Sequence, residues 1–371
     1  MTSSDYLHKA FLLAKRANSR NIRPNPFVGA IVVSEHGEII GSGYHQQYGG
    51  PHAEVFAIQE ALSHQNDLSK CTLYVSLEPC SHTGKTPPCT ELILKHKIPR
   101  VVIGSMDPNP LVSGASYLAE KGIIIEQCLL EELLSLNDVF FLNQQLKRPK
   151  YILKSATTLN GKIADRQGES KWISNAQSRD FVHQFLRKNV DAILTTAKTV
   201  IKDNATMNCR VDGQDAEEVN LIVIDKDLSL LKDENKKLNI FYKRTKTKIY
   251  LVTPLSDESF EKYDIQEHIK IVSIPMPNGI CILNQLSSYL LENQICEVLI
   301  EGGGILNATF MKADLVDELY LFICPSILLD NNALGIFNSN DEHDMANSLK
   351  LKLVSTEAFD SDVLLRYKRL H

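Results

Sequence analysis

Along its first 126 residues the chain switches repeatedly between two hydrophobic periods. From Ser4 to Ala17, Leu7, Phe11 and Ala14 recur at helical spacing and predict an opening helix. Phe27 to Ser34 is a run of β-forming residues followed by His36-Gly37, which predicts a strand and a turn. Ala53 to Leu62 returns to the helical period, with Val55, Ile58 and Leu62 on its inner side. Thr72–Leu77 and Arg100–Gly104 read as strands, Thr90–Lys97 as a short helix between them, and Gly122–Glu126 closes the set. Strands alternating with helices predict a sheet covered by helices.

The polar stretch Asn143–Lys150, with Pro149, separates this unit from the remainder of the chain, and places a domain boundary near residue 146. Beyond it, Tyr151–Ala156, Ala192–Thr195, Leu221–Asp225, Ile249–Val252, Ile269–Ile274, Val298–Ile300 and Leu319–Pro325 are short apolar runs of the kind that form buried strands. Ala176–Lys188 is a helical candidate between two of them. A second α/β domain, residues 147–371, is the expectation. The charged stretch Lys226–Lys248 reads as loop, and no solenoid repeat is visible.

Composition narrows the class. The length of 371 residues suits two domains, and 43% apolar with 23% charged residues supplies cores for both. A net charge of −5 argues against a broad nucleic-acid surface. No run approaches the roughly 18 apolar residues that span a bilayer. Met1-Thr2-Ser3-Ser4-Asp5 lacks the basic and apolar regions of a signal peptide. The eight scattered cysteines then read as thiols or metal ligands, and the cytoplasm is the expected location.

One constellation carries chemistry: His52-Ala53-Glu54, then Pro79-Cys80, then Cys89. One imidazole and two thiolates suit Zn2+, one per chain, and leave the fourth position open, as a catalytic site requires. Zinc lowers the pKa of its water towards neutrality, and a carboxylate that is not a ligand must then shuttle protons. Glu54 stands two residues beyond His52, the arrangement of zinc deaminases. Cys89 falls at the start of a predicted helix, whose positive end favours a thiolate. The generic signature puts two residues between the cysteines; here there are eight, Ser81 to Pro88. A closed structural site, with His82 as fourth ligand, is the alternative.

Further residues go beyond the generic deaminase: Pro24-Asn25-Pro26-Phe27-Val28-Gly29, Gly49-Gly50-Pro51-His52-Ala53-Glu54, Leu77-Glu78-Pro79-Cys80, the insert Ser81-His82-Thr83-Gly84-Lys85-Thr86-Pro87-Pro88 and Asp107-Pro108-Asn109-Pro110. With these the chain resembles the bifunctional riboflavin-biosynthesis enzymes, a pyrimidine deaminase fused to a ribosyl reductase. The Gly-Lys-Thr-Pro-Pro insert accounts for the long cysteine spacing. The resemblance implies an N-terminal cytidine-deaminase-like α/β/α sandwich (residues 1–146) and a C-terminal dihydrofolate-reductase-like α/β domain. It implies a phosphorylated aminopyrimidine riboside as substrate, with Asn25 holding the ring and His82, Lys85 and Thr86 near the ribose phosphate.

For the second domain, Lys154-Ser155-Ala156-Thr157-Thr158-Leu159-Asn160-Gly161 resembles the opening of the family's reductase, with Asn160 where Asp is usual. The resemblance assigns substrate contacts to Ser170, Arg187, Asp203, Met207, Arg210 and Glu301. It assigns NADPH contacts to Ala156, Trp172, Thr199, Asp203, Gly302, Gly303, Gly304, Ile305, Leu306 and Asn307. In the segment Asp203-Asn204-Ala205-Thr206-Met207-Asn208-Cys209-Arg210, Ala205 replaces a usual proline and Met207 a usual leucine. A glycine usual near Leu328-Leu329-Asp330 is also missing. Arg187 and Arg210 suit a phosphate by their fork geometry. Glycines at 302–304, between a strand and a helix, would let backbone N–H groups approach the cofactor phosphates. Asp203 is the leading ionisable candidate for the reductase proton donor.

The expected partners are small phosphorylated pyrimidines, with neither nucleic acid nor membrane, and a homo-oligomer is compatible with the sequence. A nucleic-acid deaminase would want a basic surface and the short Cys-x-x-Cys spacing. A binding module that had lost reduction would show in the changes at Asn160, Ala205 and Met207.

Overall fold

The computed structural model describes every residue except 83–86, 111, 211–216, 257–259, 261–262, 264, 340–343 and 370–371. The chain forms two compact units, Met1–Lys147 and Arg148–His371.

The first unit is built on strands β1 (Gly29–Val33), β2 (Ile39–Tyr44), β3 (Thr72–Val75), β4 (Arg100–Ile103) and β5 (Ile124–Gln127). They lie in the order β2-β1-β3-β4-β5, with β1 antiparallel to both neighbours and β3, β4 and β5 parallel. The period of two divides their side chains between two apolar layers. Ala30, Val32, Leu73, Val75, Val101 and Ile103 face helices Ala53–His64, Cys89–Lys95 and Gly114–Glu120. Ile31, Val33, Tyr74 and Val102 face Tyr6 and Leu7 of helix Ser3–Ala14. The result is an α/β/α sandwich. Helix Ser3–Ala14 starts at a capping box, in which Thr2 and Asp5 bond each other's backbone N–H.

Three expectations change here. Strand β2 was not legible, because its Gly-Ser-Gly core breaks the β-forming pattern. The reason for those glycines is the helix above them: a Cβ at Gly41 would lie 2.0 Å from Ala57 O, and one at Gly43 2.5 Å from Ala53 O. The same closeness explains the buried face of helix Ala53–His64. That face is made by Ala53, Glu54, Ala57, Ile58 and Ala61, not by Val55 and Leu62, which are half-buried. Residues 143–146 are not linker either; they finish helix Asp138–Leu146.

The second unit holds β6 (Lys150–Thr158), β7 (Lys162–Ala164), β8 (Ala192–Thr196), β9 (Asn220–Ile224), β10 (Ile249–Thr253), β11 (Ile269–Ser273), β12 (Glu297–Ile300), β13 (Glu318–Cys324), β14 (Leu334–Gly335), β15 (Leu351–Phe359) and β16 (Asp362–Arg369). Nine of them form one sheet in the order β11-β10-β9-β8-β12-β6-β13-β16-β15, and β7 pairs with β14. Pairing is parallel from β11 to β13, and β16 and β15 close the sheet as an antiparallel hairpin. Both faces are apolar, as a covered parallel sheet requires. Leu153, Leu194, Ile222, Val252, Val298 and Ile300 face helices Leu283–Glu292 and Gly304–Lys312. Ile193, Leu221, Val223 and Leu251 form the opposite layer.

The hairpin β15–β16 escaped sequence reading because seven successive residues of β15 are exposed and carry no period. The helical candidate at 176–188 is α-helical over Ala176–Phe181 and continues as a wider π turn over Val182–Arg187. The stretch 226–248 is more ordered than loop: it contains helix Asn239–Lys243 and, at Arg244, a fully buried arginine. Among the described residues no helix is long and apolar enough to cross a membrane.

The glycine contact gives a direct test. Gly41→Ala places a methyl group against the Ala57 carbonyl, so the first unit should lose about 1–3 kcal/mol of stability. Urea unfolding followed through the first unit measures it, and an unchanged midpoint would show that the helix can lift off the sheet freely.

Candidate functional site

In the first unit three chain segments converge. His52 caps helix Ala53–His64 at its N-terminus, Cys80 follows β3, and Cys89 is the first residue of helix Cys89–Lys95. His52 Nδ1 lies 3.5 Å from Cys80 Sγ and 3.3 Å from Cys89 Sγ, and the three donor atoms are all within 4.8 Å of one another. A tetrahedral ion with bonds of about 2.0 Å to nitrogen and 2.3 Å to sulfur would have N···S edges of about 3.5 Å, so the donors fit zinc in spacing as well as type. His82 is exposed and stands outside this group.

The thiols divide their chemistry in an order the sequence did not suggest. The Cys89 backbone N–H, at the helix start, donates to Cys80 Sγ at 3.3 Å. The helix end therefore favours a thiolate at Cys80 by a direct hydrogen bond. Hydrogen bonds from the Cys89 thiol, and then from His52, hold Cys80 well below the usual thiol range. Cys89, bonded to that thiolate and buried, is pushed up.

Glu54 sits in the first helical turn, 3% exposed, and burial raises its carboxyl above the usual range. It lines a cavity of about 240 Å³ together with His52, Cys80, Asn25, His45 and Asp107. His45 was missed from the sequence. Its Nδ1 is 3.1 Å from Pro51 O, which can only accept, so Nδ1 carries the proton. Burial lowers the His45 pKa, which keeps the ring neutral. Nε2 then accepts from Asn25 Nδ2 at 3.0 Å, and the Asn25 amide is oriented by that bond. The available signal was a histidine at a strand end, just ahead of Gly49-Gly50-Pro51.

Glu78 is a second omission. It is 6% exposed and accepts from Ala115 N at 2.9 Å and Asp107 N at 3.3 Å, tying the start of helix Gly114–Glu120 and the Asp107 loop beside the metal ligands. Lys85 and Thr86 lie outside the described residues.

In the second unit Glu301 follows β12 and Arg187 ends the π turn. They form a bidentate pair of 2.6 Å and 2.9 Å, each with a side chain only 12% exposed. Burial works to raise the Glu301 carboxyl, but Arg187 outweighs it and holds it at about 2. Lys154 on β6 adds to that field, and burial lowers its own pKa. His183 is pulled down to about 4 by burial and then by Arg187 and Arg210. Arg187, Glu301 and Arg210 are thus brought into one electrostatic neighbourhood, with Lys154 and His183, which sequence reading did not single out. Asp203 ends helix Ala197–Asp203; burial raises its carboxyl, against the lysines at 171 and 202. Thr199 stands in the first turn of the same helix, and its N–H reaches Thr196 Oγ1 at 3.4 Å.

The remaining expected contacts divide by exposure. Trp172 is 74% exposed, with the Arg179 guanidinium 4.6 Å from its ring centre; Ser170, two residues earlier, and Ala156 on β6 are half-buried. Met207 is packed inside an apolar cluster, as are Leu306 and Phe310 in another, so the Met207 and Leu306 side chains are withdrawn from a ligand. Asn307 is fully buried and donates to Ile336 O.

The three glycines also differ. A Cβ at Gly304 would meet Gly335 O at 2.4 Å, so this glycine serves packing, while one at Gly303 meets nothing within 4 Å. Gly303 caps helix Gly304–Lys312 with an extended backbone that any residue adopts, which removes backbone strain as a reason for glycine there. Its open surface, and the buried Asn307 Oδ1 that has no hydrogen-bond partner among the described residues, fit a polar ligand at that helix end.

The departures near residues 160 and 328 meet in space. Asn160 Nδ2 donates to Leu328 O at 2.9 Å and Oδ1 accepts from Leu328 N at 3.2 Å. An aspartate could not donate the first of these bonds.

Comparison with known proteins divides the chain in the same way. Residues 1–105 match the family described as the cytidine and deoxycytidylate deaminase zinc-binding region, and residues 149–365 match the RibD C-terminal domain. The riboflavin biosynthesis protein RibD of Actinobacillus pleuropneumoniae is 36% identical, covering 99% of this chain and 95% of its own. That of Aquifex aeolicus is also 36% identical, with 98% of each chain covered. The crystal structure of a diaminohydroxyphosphoribosylaminopyrimidine deaminase/5-amino-6-(5-phosphoribosylamino)uracil reductase from Thermotoga maritima superposes with a TM-score of 0.81 at 34% identity, covering 99% of both chains. A zinc-type donor set in one unit, a reductase-type sheet in the other and full-length similarity to proteins that join the two leave one assignment: the chain belongs to the RibD family of bifunctional deaminase-reductases of riboflavin biosynthesis.

Proposed function

We propose that the first unit deaminates 2,5-diamino-6-ribosylamino-4(3H)-pyrimidinone 5′-phosphate, and that the second reduces the ribosyl chain of the product with NADPH to give 5-amino-6-ribitylamino-uracil 5′-phosphate. The substrate class is that in the name of the Thermotoga maritima relative. The observation that carries the reading is the donor set of His52, Cys80 and Cys89 at tetrahedral spacing, beside the buried carboxyl of Glu54. Zinc held there supplies the acid that makes a water molecule nucleophilic near neutral pH. Glu54 takes the proton of that water and returns it to the departing ammonia. Asn25, oriented by neutral His45, holds the pyrimidine edge in the same cavity.

In the second unit Gly303, with Gly302 and the first N–H groups of helix Gly304–Lys312, receives the cofactor phosphates, since unsatisfied donors and the helix dipole favour an anion there. Bound at that end, NADPH supplies the hydride. Ala156, Trp172 and Thr199 border the cofactor in this reading, together with Ile305, Leu306 and Asn307. Ser170, Asp203, Met207 and Arg210 receive the substrate. Arg187 keeps Glu301 ionised and fixed, as their bidentate pair and the low Glu301 pKa support.

Three outcomes test this. Elemental analysis of the purified protein should find one zinc per chain, and Cys89→Ser should lose it. Glu54→Gln should keep the zinc and leave reduction of supplied deaminated substrate unchanged, while ammonia release falls roughly 10²- to 10⁴-fold; near-normal release would assign the proton shuttle to another group. Gly303→Val should raise the Michaelis constant for NADPH well above its effect on that for the pyrimidine, because the branched side chain covers an open donor surface without straining the backbone. Steady-state kinetics with each substrate varied in turn decides it, and an unchanged NADPH constant would move the phosphate site elsewhere.

A further inference from the structure

Arg244 is the largest fully buried side chain of the described protein, and sequence reading had placed it in an uninformative charged stretch. A guanidinium taken out of water is costly unless its donors are bonded. Among the described residues no carboxylate is within ion-pairing distance of it, although Glu218, bonded to Thr245 N and Lys246 N, supports its charge from nearby. Its Nη donors go to three backbone carbonyls and one hydroxyl, while the buried Nε has no hydrogen-bond partner among the described residues. Nη1 bonds Met207 O at 2.6 Å and Thr206 O at 3.3 Å, and Nη2 bonds Val219 O and, at 3.1 Å, Thr247 Oγ1. Burial pulls the guanidinium down to about 10, which leaves it charged at neutral pH.

Two of those carbonyls belong to the loop from Asp203 to Arg210. That loop has an irregular backbone, with Asn204 and Met207 both in the left-handed region at φ 44° and 51°. It has no proline to stiffen it: Ala205 stands in the middle, and its N–H donates to Val200 O at 3.4 Å, a bond a proline could not make. The same short segment that ends in Arg244 begins with Asn239, whose N–H and Nδ2 bond Asn204 Oδ1 and O at 2.7 Å and 2.9 Å. Segment 239–244 therefore grips the loop at 204, 206 and 207, while Arg187 bonds Asn208 O at 2.9 Å and His183 accepts from Arg210 N at 3.1 Å. The loop runs from Asp203, which feels Lys171, to Arg210, which feels His183.

We propose that Arg244 is a positioning residue of the reductase: it holds the Asp203–Arg210 loop in the conformation that presents its two charged ends to the pyrimidine substrate. The inference rests on the reading of this loop as the substrate segment. An arginine suits the task because one planar fork reaches several carbonyls whose directions a left-handed backbone has spread apart. An apolar side chain could fill the space but would leave those carbonyls without donors, and the loop free to relax.

The test uses the full-length protein with Arg244→Met, Arg244→Lys and Arg210→Ala, and reads four quantities: the Michaelis constants for the deaminated pyrimidine and for NADPH, NADPH affinity by fluorescence titration, and ammonia release by the other unit. Arg244→Met should raise the pyrimidine constant roughly tenfold or more, since misplacement by about 1 Å can cost up to 10²-fold. The NADPH constant, NADPH affinity and ammonia release should stay within about twofold. Arg244→Lys, which keeps the charge but not the fork, should fall between Met and the parent. If Arg244→Met does not accumulate in soluble form, Arg244→Lys decides by the same split of constants. A pyrimidine constant unchanged in the Arg244 variants but raised in Arg210→Ala would overturn the role of Arg244 while keeping the loop assignment. Equal loss of pyrimidine and NADPH binding in both Arg244 variants would reduce Arg244 to a general structural part and overturn it as well. An unchanged pyrimidine constant in Arg210→Ala would remove the substrate reading of the loop, and the inference with it.

Discussion

The distance between helix Ala53–His64 and the strands β1 and β2 governs the first unit. At Gly41 and Gly43 the helix lies closer than a Cβ would allow, and Ala53, Ala57 and Ala61 are the helix residues that accept such closeness. The helix N-terminus carries His52 and Glu54, so this spacing sets where the imidazole meets the sulfurs of Cys80 and Cys89. A similar contact acts at a second ligand. A Cβ at Gly114 would lie 1.8 Å from Pro79 O, so helix Gly114–Glu120 presses on the residue before Cys80. Glu78 completes the support by bonding Ala115 N and Asp107 N. Donor atoms held at tetrahedral spacing by packing have little conformational entropy left to lose, which is what a preorganised catalytic site requires.

The second unit solves a different problem, that of burying charge. Arg187 and Glu301 are both largely withdrawn from water and satisfy each other with two bonds. Removing either partner from such a pair costs several kcal/mol because the other charge is left unpaired. The pair has a second consequence: the anion at Glu301 and the cations at Arg187, Lys154 and Arg210 share one neighbourhood, and His183 there is kept neutral. Its Nδ1 can therefore accept from Arg210 N, which anchors one end of the loop that carries Asp203. Charge pairing and loop geometry are linked through that one imidazole.

Departures from the family pattern turn out to be local exchanges of one restraint for another. The amide of Asn160 closes two bonds on Leu328, the region where a glycine is usual. Ala205 donates a bond that proline would forfeit, and its neighbours are gripped by Asn239 and Arg244. Met207 stays in the core, where exchange with leucine is close to volume-conserving.

Much of this was written in local sequence. The alternation of periods separated strands from helices in the first unit and marked most strands of the second, because side-chain direction repeats every 2 or 3.6 residues whatever the surroundings. The spacing of His52, Glu54, Cys80 and Cys89 named the chemistry, since zinc's preference for nitrogen and sulfur donors and the need for a non-ligand carboxylate are properties of residue types. What the sequence could not determine depends on partners distant along the chain. Strand β2 and its glycines make sense only under the helix that presses on them. His45 becomes part of the site only because Asn25 and the Pro51 carbonyl flank its ring. The helix N–H that was expected to favour Cys89 favours Cys80, because the fold aims it at the other sulfur. Arg244 lies in a charged stretch that the sequence reads as loop, and only the folded chain brings the carbonyls of Thr206 and Met207 onto it. Hydrogen bonds and close packing are set by position in space, and only the tertiary structure supplies that.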